Sequence, residues 1–335
     1  MIQINHNLQK LIEKEMKIHI ANIQSINTGM NNQLLKVTDT DGNQYVLKQY
    51  IKDERKRMWR EYNAIKYLRS QNIKNIPLAH WCNQKLQVAV YSFEPGLTRS
   101  ATDLTHIEVT KMADFLARLH TTSVKSSSFE FPPAVLACFS LSDYVKNINY
   151  RLNKFLEHMQ NPHPLLASCF NTSELIVLFD RLKAKALVGL TSDEIDSELP
   201  LKNRRLSPID FGPHNMLFTS DGRECFIDFE YFGLDDPARV LAEFQMHDRS
   251  SLLDHKLKQH FRNQYLHKVN ASKDFEKHLA HVEQITSVEW LSIYLWSITP
   301  EKVSHRKFSD ASFNEESYLQ TQIDKFNNRL EILLK

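Results

Sequence analysis

Glycine is scarce in this chain: 7 of 335 residues, about 2% where soluble proteins average roughly 7%. The scarcity excludes the glycine-rich phosphate grips, because neither G-x-G-x-x-G nor G-x-x-x-x-G-K-[ST] occurs. Cysteine is sparse too. Cys82, Cys138, Cys169 and Cys225 stand far apart with no C-x-x-C pair, so reduced thiols are expected rather than a disulfide framework or a zinc site. Long apolar runs are missing. The most apolar stretch, Val288 to Ile298, is too short to span a bilayer and contains Glu289. The opening residues MIQINHNLQKLIEKEMKIHI read as an amphipathic helix without the apolar heart of a signal peptide, so a cytoplasmic protein with no membrane partner is expected. Charge of one sign is also lacking. With 42 Lys+Arg against 40 Asp+Glu, a net +2, no general field recruits nucleic acid.

What the chain does have is hydrophobic and aromatic residues, at 42% and 10%, too many for disorder and enough for a sizeable core. Leu34 to Asp39 and Gln44 to Gln49 read as strands joined by Asp41-Gly42, a hairpin signal. The segment KDERKRMWREYNAIKYLRS is helical, with Met58, Tyr62 and Ile65 on one stripe and Glu61 at its edge. Leu86 to Phe93 is strand-like and runs into Glu94-Pro95-Gly96, a break. These features predict an α+β chain with a small β-rich lobe over 1–95 and a larger, mainly helical lobe over 96–335. In the second part Thr105-His-Ile-Glu108 is a capping box for a helix to His120. Further helices are expected over 141–159, 172–188, 252–266, 275–296 and 315–334, and one β signal over 215–229.

That β signal carries chemistry. If Asp221-Gly222 is a two-residue turn, Ser220 faces Arg223, and five steps outward Asn215 faces Asp228. Cross-strand neighbours have Cβ atoms roughly 4.5–5.5 Å apart, close enough for an amide oxygen and a carboxylate to hold one Mg²⁺, a cation that favours hard oxygen ligands and substrate phosphates. A bulge would shift this register by one residue. Kinase-type phosphoryl transfer needs this set of parts: an Asp near the acceptor hydroxyl, an Asn and an Asp on metal, and a strand Lys paired with a helix Glu. The candidates are Asp210 as base, Asn215 and Asp228 as metal ligands, Lys48 for the phosphates of ATP, and Glu61 as its partner.

At these residues the chain resembles the aminoglycoside phosphotransferase and choline kinase family, small-molecule kinases with a protein-kinase-like bilobal fold. Asn27-Thr-Gly-Met-Asn-Asn32 resembles the phosphate-covering loop, with Thr28, Gly29 and Asn31 implied at the nucleotide. Tyr45 to Lys48 resembles the lysine strand, Arg60-Glu61-Tyr62 the glutamate helix, and Tyr91 to Gly96 the hinge, placing Tyr91, Phe93 and Glu94 near adenine. Asp210 to Asn215 resembles the catalytic loop, and Ile227-Asp-Phe-Glu230 with Asp235-Asp-Pro-Ala238 the metal-binding segment and its sequel. Two departures stand out. The family's usual His-Gly before the catalytic Asp is here Pro208-Ile209, and an Asp common after the Asp-Pro-Ala element is Val240.

The resemblance implies an ATP- and Mg²⁺-dependent kinase for a hydroxyl of an aminoglycoside, amino alcohol or sugar, with the acceptor near Asp210 and the segments 139–151 and 283–306. The alternative is a nucleotide-binding pseudokinase that serves as a binding module. Trp290, Tyr294 and Trp296 are expected to pack in the core rather than cage a quaternary amine, since 290 and 294 share a helix face and 296 does not. The acidic run from Ser192 to Glu198 is expected to be a solvated loop. His120, His214 and His247 are read as structural, with no chemical role.

Overall fold

The computed structural model describes residues 6–26, 32–122, 131–219, 221–309 and 313–335. Thr28, Gly29 and Asn31 therefore lie outside the described residues.

A short helix, α1 (His6–Met16), precedes β1 (Ile20–Ile26), β2 (Gln33–Asp39) and β3 (Gln44–Gln49); α2 (Arg57–Ser70) then leads to β4 (Ala79–Asn83) and β5 (Val88–Ser92). The strands form one antiparallel sheet in the order β1-β2-β3-β5-β4. Alternation along the strands gives the sheet two apolar faces. Leu35, Val37, Leu47, Val88 and Val90 share a core with Ile12 of α1, while Ala89 and Tyr91 join Met58, Ile65 and Leu68 of α2. Lys48 stands opposite Ala89 in the β3–β5 ladder and so on the α2 face. The predicted first hairpin is present, its turn held by the Asp39 carboxylate, which accepts from the backbone of Asp41 at 3.0 Å and Asn43 at 2.8 Å. β1 and β4 were not legible beforehand. β1 half-buries only every third residue and β4 has no fully buried position, so neither shows the alternation by which a strand is recognised.

The mainly helical lobe follows, with β6 (Gly96–Leu97) and α3 (His106–Thr121), whose Thr105–Glu108 capping box forms as predicted. Then come α4 (Leu141–His158), α5 (Pro164–Cys169), α6 (Thr172–Ala186) and α7 (Ser192–Asp196). Four short strands follow: β7 (Arg205–Ser207), β8 (Met216–Thr219), β9 (Glu224–Phe226) and β10 (Gly233–Asp235). The chain closes with α8 (Pro237–Met246), α9 (Asp248–Ser251), α10 (His255–Lys268), α11 (Lys273–Ser297), α12 (Pro300–Ser309) and α13 (Glu315–Leu334). β6, β8 and β9 form one small sheet, and β7 and β10 another. The acidic run is a short exposed helix, α7, rather than a loop, because Thr191 and Glu194 make a capping box across its first turn. α11 is the axis of this lobe and packs against α4, α6, α8 and α13. A closed ion pair, Arg151 to Glu289 at 2.6 Å, joins α4 to α11, and Arg239 of α8 lies 3.8 Å from the same carboxylate. Among the described residues no helix is long and apolar enough to cross a membrane.

The site hairpin differs from the expected register by one residue. Met216 pairs with Phe226 and Leu217 with Cys225, and Ile227 N–H donates to the Asn215 carbonyl at 2.9 Å. Asn215 thus faces Ile227, not Asp228. The strands close at Thr219 and Arg223, which leaves three residues between them instead of two. Gly222, at φ +79°, takes the left-handed position that such a loop requires. Thr219 accounts for the shorter pairing: its one hydroxyl hydrogen is shared between the Asp221 carboxylate and the Arg223 carbonyl, closing the turn one residue earlier.

Candidate active site

Two carboxylates held in different ways define the site. On β3, Lys48 places its Nζ 2.7 Å from Glu61 of α2 and 2.8 Å from Asp228, with Glu230 at 3.9 Å. The pairing of Lys48 with Glu61 was expected from the sequence, and here the same ammonium also holds Asp228. The pair is braced from behind. Tyr50 donates its hydroxyl to Glu61 at 2.8 Å and lies 2.8 Å from the hydroxyl of Tyr91. Glu230 takes Arg57 at 2.6 Å on one oxygen and the Asn32 amide at 2.6 Å on the other. Burial pushes the Glu61 carboxyl up to about 7 against the pull of Lys48, and it raises Glu230 as well. Three carboxylates within 4.8 Å of one another keep the Lys48 ammonium protonated well above its usual range.

Asp228 reaches this cluster because its backbone is left-handed, at φ +69°, which takes the chain out of the β9 ladder just past Ile227. The other carboxylate, Asp210, follows Ile209 at φ +63°. A β-branched residue there is strained, since the left-handed region costs about 1–2 kcal/mol for a residue with a Cβ. The strain sits where the family resemblance would put glycine. Local bonds hold it: Ile209 N–H to Ser207 Oγ at 3.3 Å, Asp210 N–H to Pro208 O and Phe211 N–H to Ile209 O, each at 2.9 Å. Beneath, Phe211 joins a pile of rings in which Phe115 stacks on Phe226 at 3.9 Å and Phe244 on Phe261 at 3.9 Å. Such pairs add roughly 0.5–1.5 kcal/mol beyond their buried area, enough to offset the strain.

Asp210 lies among imidazoles. His214 Nε2–H donates to its Oδ1 at 2.9 Å, and His247 Nε2 is 3.6 Å from the same oxygen. Burial alone would raise this carboxyl; the His214 hydrogen bond, with His247 and Arg249 nearby, brings it down to about 2. It is therefore an ionised acceptor at neutral pH. Exposure divides these carboxylates: the side chains of Asp210 and Asp228 are each 31% exposed, whereas Glu61 is at 5% and Glu230 at 2%. Asn215 joins the two halves. Its Nδ2 donates to the Asp210 carbonyl at 2.9 Å, and since a carbonyl only accepts, the amide is oriented with Oδ1 free of that bond.

The hinge residues are placed unevenly. The Tyr91 side chain is buried against α2, so this strand end would meet a nucleotide through its backbone. The ring of Phe93 lies under Lys36 at 4.1 Å, and Glu94 accepts from Ser92 Oγ at 2.7 Å. Trp290 and Tyr294 are core residues as expected; Trp290 Nε1–H donates to Glu243 at 2.9 Å and Tyr294 to Asp248 at 2.5 Å. Trp296, expected in the core as well, is only half-buried and outside it; its ring is attended by the chain's own cations, with Lys302 at 4.1 Å and Arg151 and Arg55 near 6 Å. Sequence reasoning did not place Glu230 beside Lys48, nor His214 and His247 beside Asp210. For Glu230 there was a signal, its spacing of two from Asp228; for His247 there was none, because only the fold brings the start of α9 to the Asp210 loop.

Residues 22–271 match the family model described as the phosphotransferase enzyme family, APH. No curated protein matches the chain. Among solved structures, a spectinomycin phosphotransferase in complex with ADP and spectinomycin superposes with a TM-score of 0.67 at 17% identity, covering 99% of this chain and 98% of that one. A choline kinase from Cryptosporidium parvum gives 0.64 at 15%, covering 98% and 96%. A ternary complex of APH(2″)-IIa with streptomycin and ATP gives 0.59 at 16%, covering 97% and 99%. At such identities the likeness is one of fold, and it extends over both lobes. With the family model covering most of its length, the chain belongs to the phosphotransferase enzyme family and is an ATP-dependent small-molecule kinase.

Proposed function

We propose that the chain transfers the γ-phosphoryl group of ATP to a hydroxyl of a small molecule of aminoglycoside, amino alcohol or sugar type. The observation that carries this reading is the separation of two carboxylates: Asp228 is tied to Lys48 at 2.8 Å, while Asp210 stands apart on its own loop, ionised and partly open. Nucleotide would lie between a 1–95 lobe and a 96–335 lobe, with Lys48 on the phosphates and the backbone of Tyr91 to Glu94 near adenine. Similar structures, which include ADP and ATP complexes with spectinomycin and streptomycin, support a nucleotide and a small-molecule acceptor.

The donor set suits magnesium, being an oriented amide oxygen on Asn215 and the carboxylate of Asp228, all hard oxygen. Those two residues would hold it. When bound, the ion supplies charge neutralisation on the phosphates. Asp210 takes the acceptor's proton as the hydroxyl oxygen bonds to the γ-phosphorus and the bond to the bridging oxygen of ADP breaks. Lys48 keeps the phosphates in place, and Glu61 with Tyr50 keeps Lys48 in place.

The test is ADP release measured across aminoglycosides, amino alcohols and sugars, with mass spectrometry locating the added phosphoryl group. Asp210→Asn should bind MgATP nearly as wild type yet transfer roughly 10²–10⁴-fold more slowly, the usual worth of a general base. Calorimetry showing no Mg²⁺-dependent ATP binding to wild type would sink the reading. Binding without turnover on any acceptor, with Asp210→Asn indistinguishable from wild type, would leave the pseudokinase in its place.

A further inference from the structure

We infer that His247 and His214 are positioning residues for Asp210: their Nε2–H groups converge on Oδ1 and leave Oδ2 to receive the acceptor's proton. This rests on the reading of Asp210 as the base.

The assignment follows from where each ring's other nitrogen goes. His247 is the N-cap of α9, and its Nδ1 accepts the backbone N–H of Arg249 at 2.9 Å. An imidazole nitrogen that accepts has its lone pair there, so in the neutral ring the proton is on Nε2. That nitrogen is 3.6 Å from Asp210 Oδ1, a polar contact longer than a full hydrogen bond. His214 makes the hydrogen bond, at 2.9 Å to the same oxygen. Its Nδ1 is buried with no partner, which leaves Nε2 as the nitrogen whose proton is used. The same protons argue against a metal centre at this trio, since a protonated Nε2 has no lone pair to give.

Both rings are fixed by packing. They stack at 4.8 Å with 13° between planes, and the indole of Trp290 meets His247 edge-on at 5.1 Å. Trp290 is itself anchored by its bond to Glu243. Space for the His214 ring comes from Gly212, where a Cβ would lie 2.8 Å from Cε1 and 2.9 Å from Nδ1 of that ring. The His214 hydrogen bond and the longer polar contact from His247, both on one carboxylate oxygen, set the rotation of the carboxylate and decide which oxygen faces the acceptor. Misplacement of a reacting group by about 1 Å costs on the order of 10²-fold.

The experiment measures ADP release from MgATP with water as acceptor for wild type, Asp210→Asn, His214→Leu, His214→Gln and His247→Asn. His247→Asn separates the two jobs of that side chain, because Asn is a good N-cap for Arg249 but is too short to reach Asp210. His247→Asn and His214→Leu should lower kcat roughly tenfold to a hundredfold with KM for ATP and thermal midpoint close to wild type. His214→Gln, whose amide N–H can replace Nε2–H, should recover most of the loss. Wild-type kcat in His214→Leu and His247→Asn beside a slow Asp210→Asn overturns the inference alone. So does a loss of kcat that comes with an equal loss of stability or ATP affinity. Wild-type turnover by Asp210→Asn overturns the base reading, and this inference with it.

Discussion

Replacing Lys48 with methionine keeps most of the side chain's length and deletes its charge, so it isolates what one ammonium does among three carboxylates. In the native site that ammonium is 2.7 Å from Glu61 and 2.8 Å from Asp228. Even with Lys48 beside it, burial pushes the Glu61 carboxyl up to about 7 from its ordinary 4.5, an effect on the order of a few kcal/mol. Without Lys48 that carboxyl rises further. Breaking a buried pair by removing one partner costs about 3–5 kcal/mol, and for a chain of this size the thermal midpoint at neutral pH should fall by about 4–7 °C. The pH dependence has a definite sign. Glu61 has a folded pKa above its unfolded one, so below about 4.5 both states are protonated and nothing is lost. As pH rises through the window from 4.5 to 7 and beyond, the unfolded chain ionises first and the folded state loses ground. The gap in midpoint between wild type and Lys48→Met should therefore be larger at pH 8 than at pH 5, and Glu61→Gln added to Lys48→Met should close most of it. Equal gaps at the two pH values, or a double variant no more stable than the single one at pH 8, would refute the argument.

Asp228→Ala should lose Mg²⁺-dependent ATP affinity and turnover together, read by calorimetry with and without the metal, whereas Asp210→Asn separates the two. Arg151→Met leaves Glu289, fully buried on α11, without its 2.6 Å partner; a loss of about 3–5 kcal/mol is expected in chemical denaturation, and a loss under 1 kcal/mol would mean that Arg239 alone suffices. Phe226→Ala removes a ring stacked at 3.9 Å on Phe115 below the loop that carries Asp210. It should cost about 3–5 kcal/mol and lower turnover as the loop loses its floor, with an unchanged melting curve as the contrary result.

The residues that converge on the candidate site were legible in the sequence because their signals are local. Lys48 follows a two-strand pattern around Asp41-Gly42, Glu61 sits at the edge of an apolar helical stripe, and Asp210, Asn215 and Asp228 recur in an order that few other chemistries use. Turn residues and apolar periods report such features because each is decided by a few neighbouring dihedral angles and by which side of an element is wet. The register of the site hairpin was not local in this sense. Asp221-Gly222 is compatible with a loop of two residues or of three, and the hydroxyl of Thr219 selected three. The resulting slip would have put the Asp228 side chain on the wrong face had the backbone there not turned left-handed. Nor could the sequence show that an isoleucine would hold a left-handed φ before Asp210, which the stacked rings beneath it and the bonds to Pro208 and Ser207 make tolerable. The setting of Asp210 was decided by tertiary structure alone. His247 is far from it in sequence, and only the packing of α8 and α11 beneath the loop brings that imidazole, its tautomer fixed by the first turn of α9, to the carboxylate it faces.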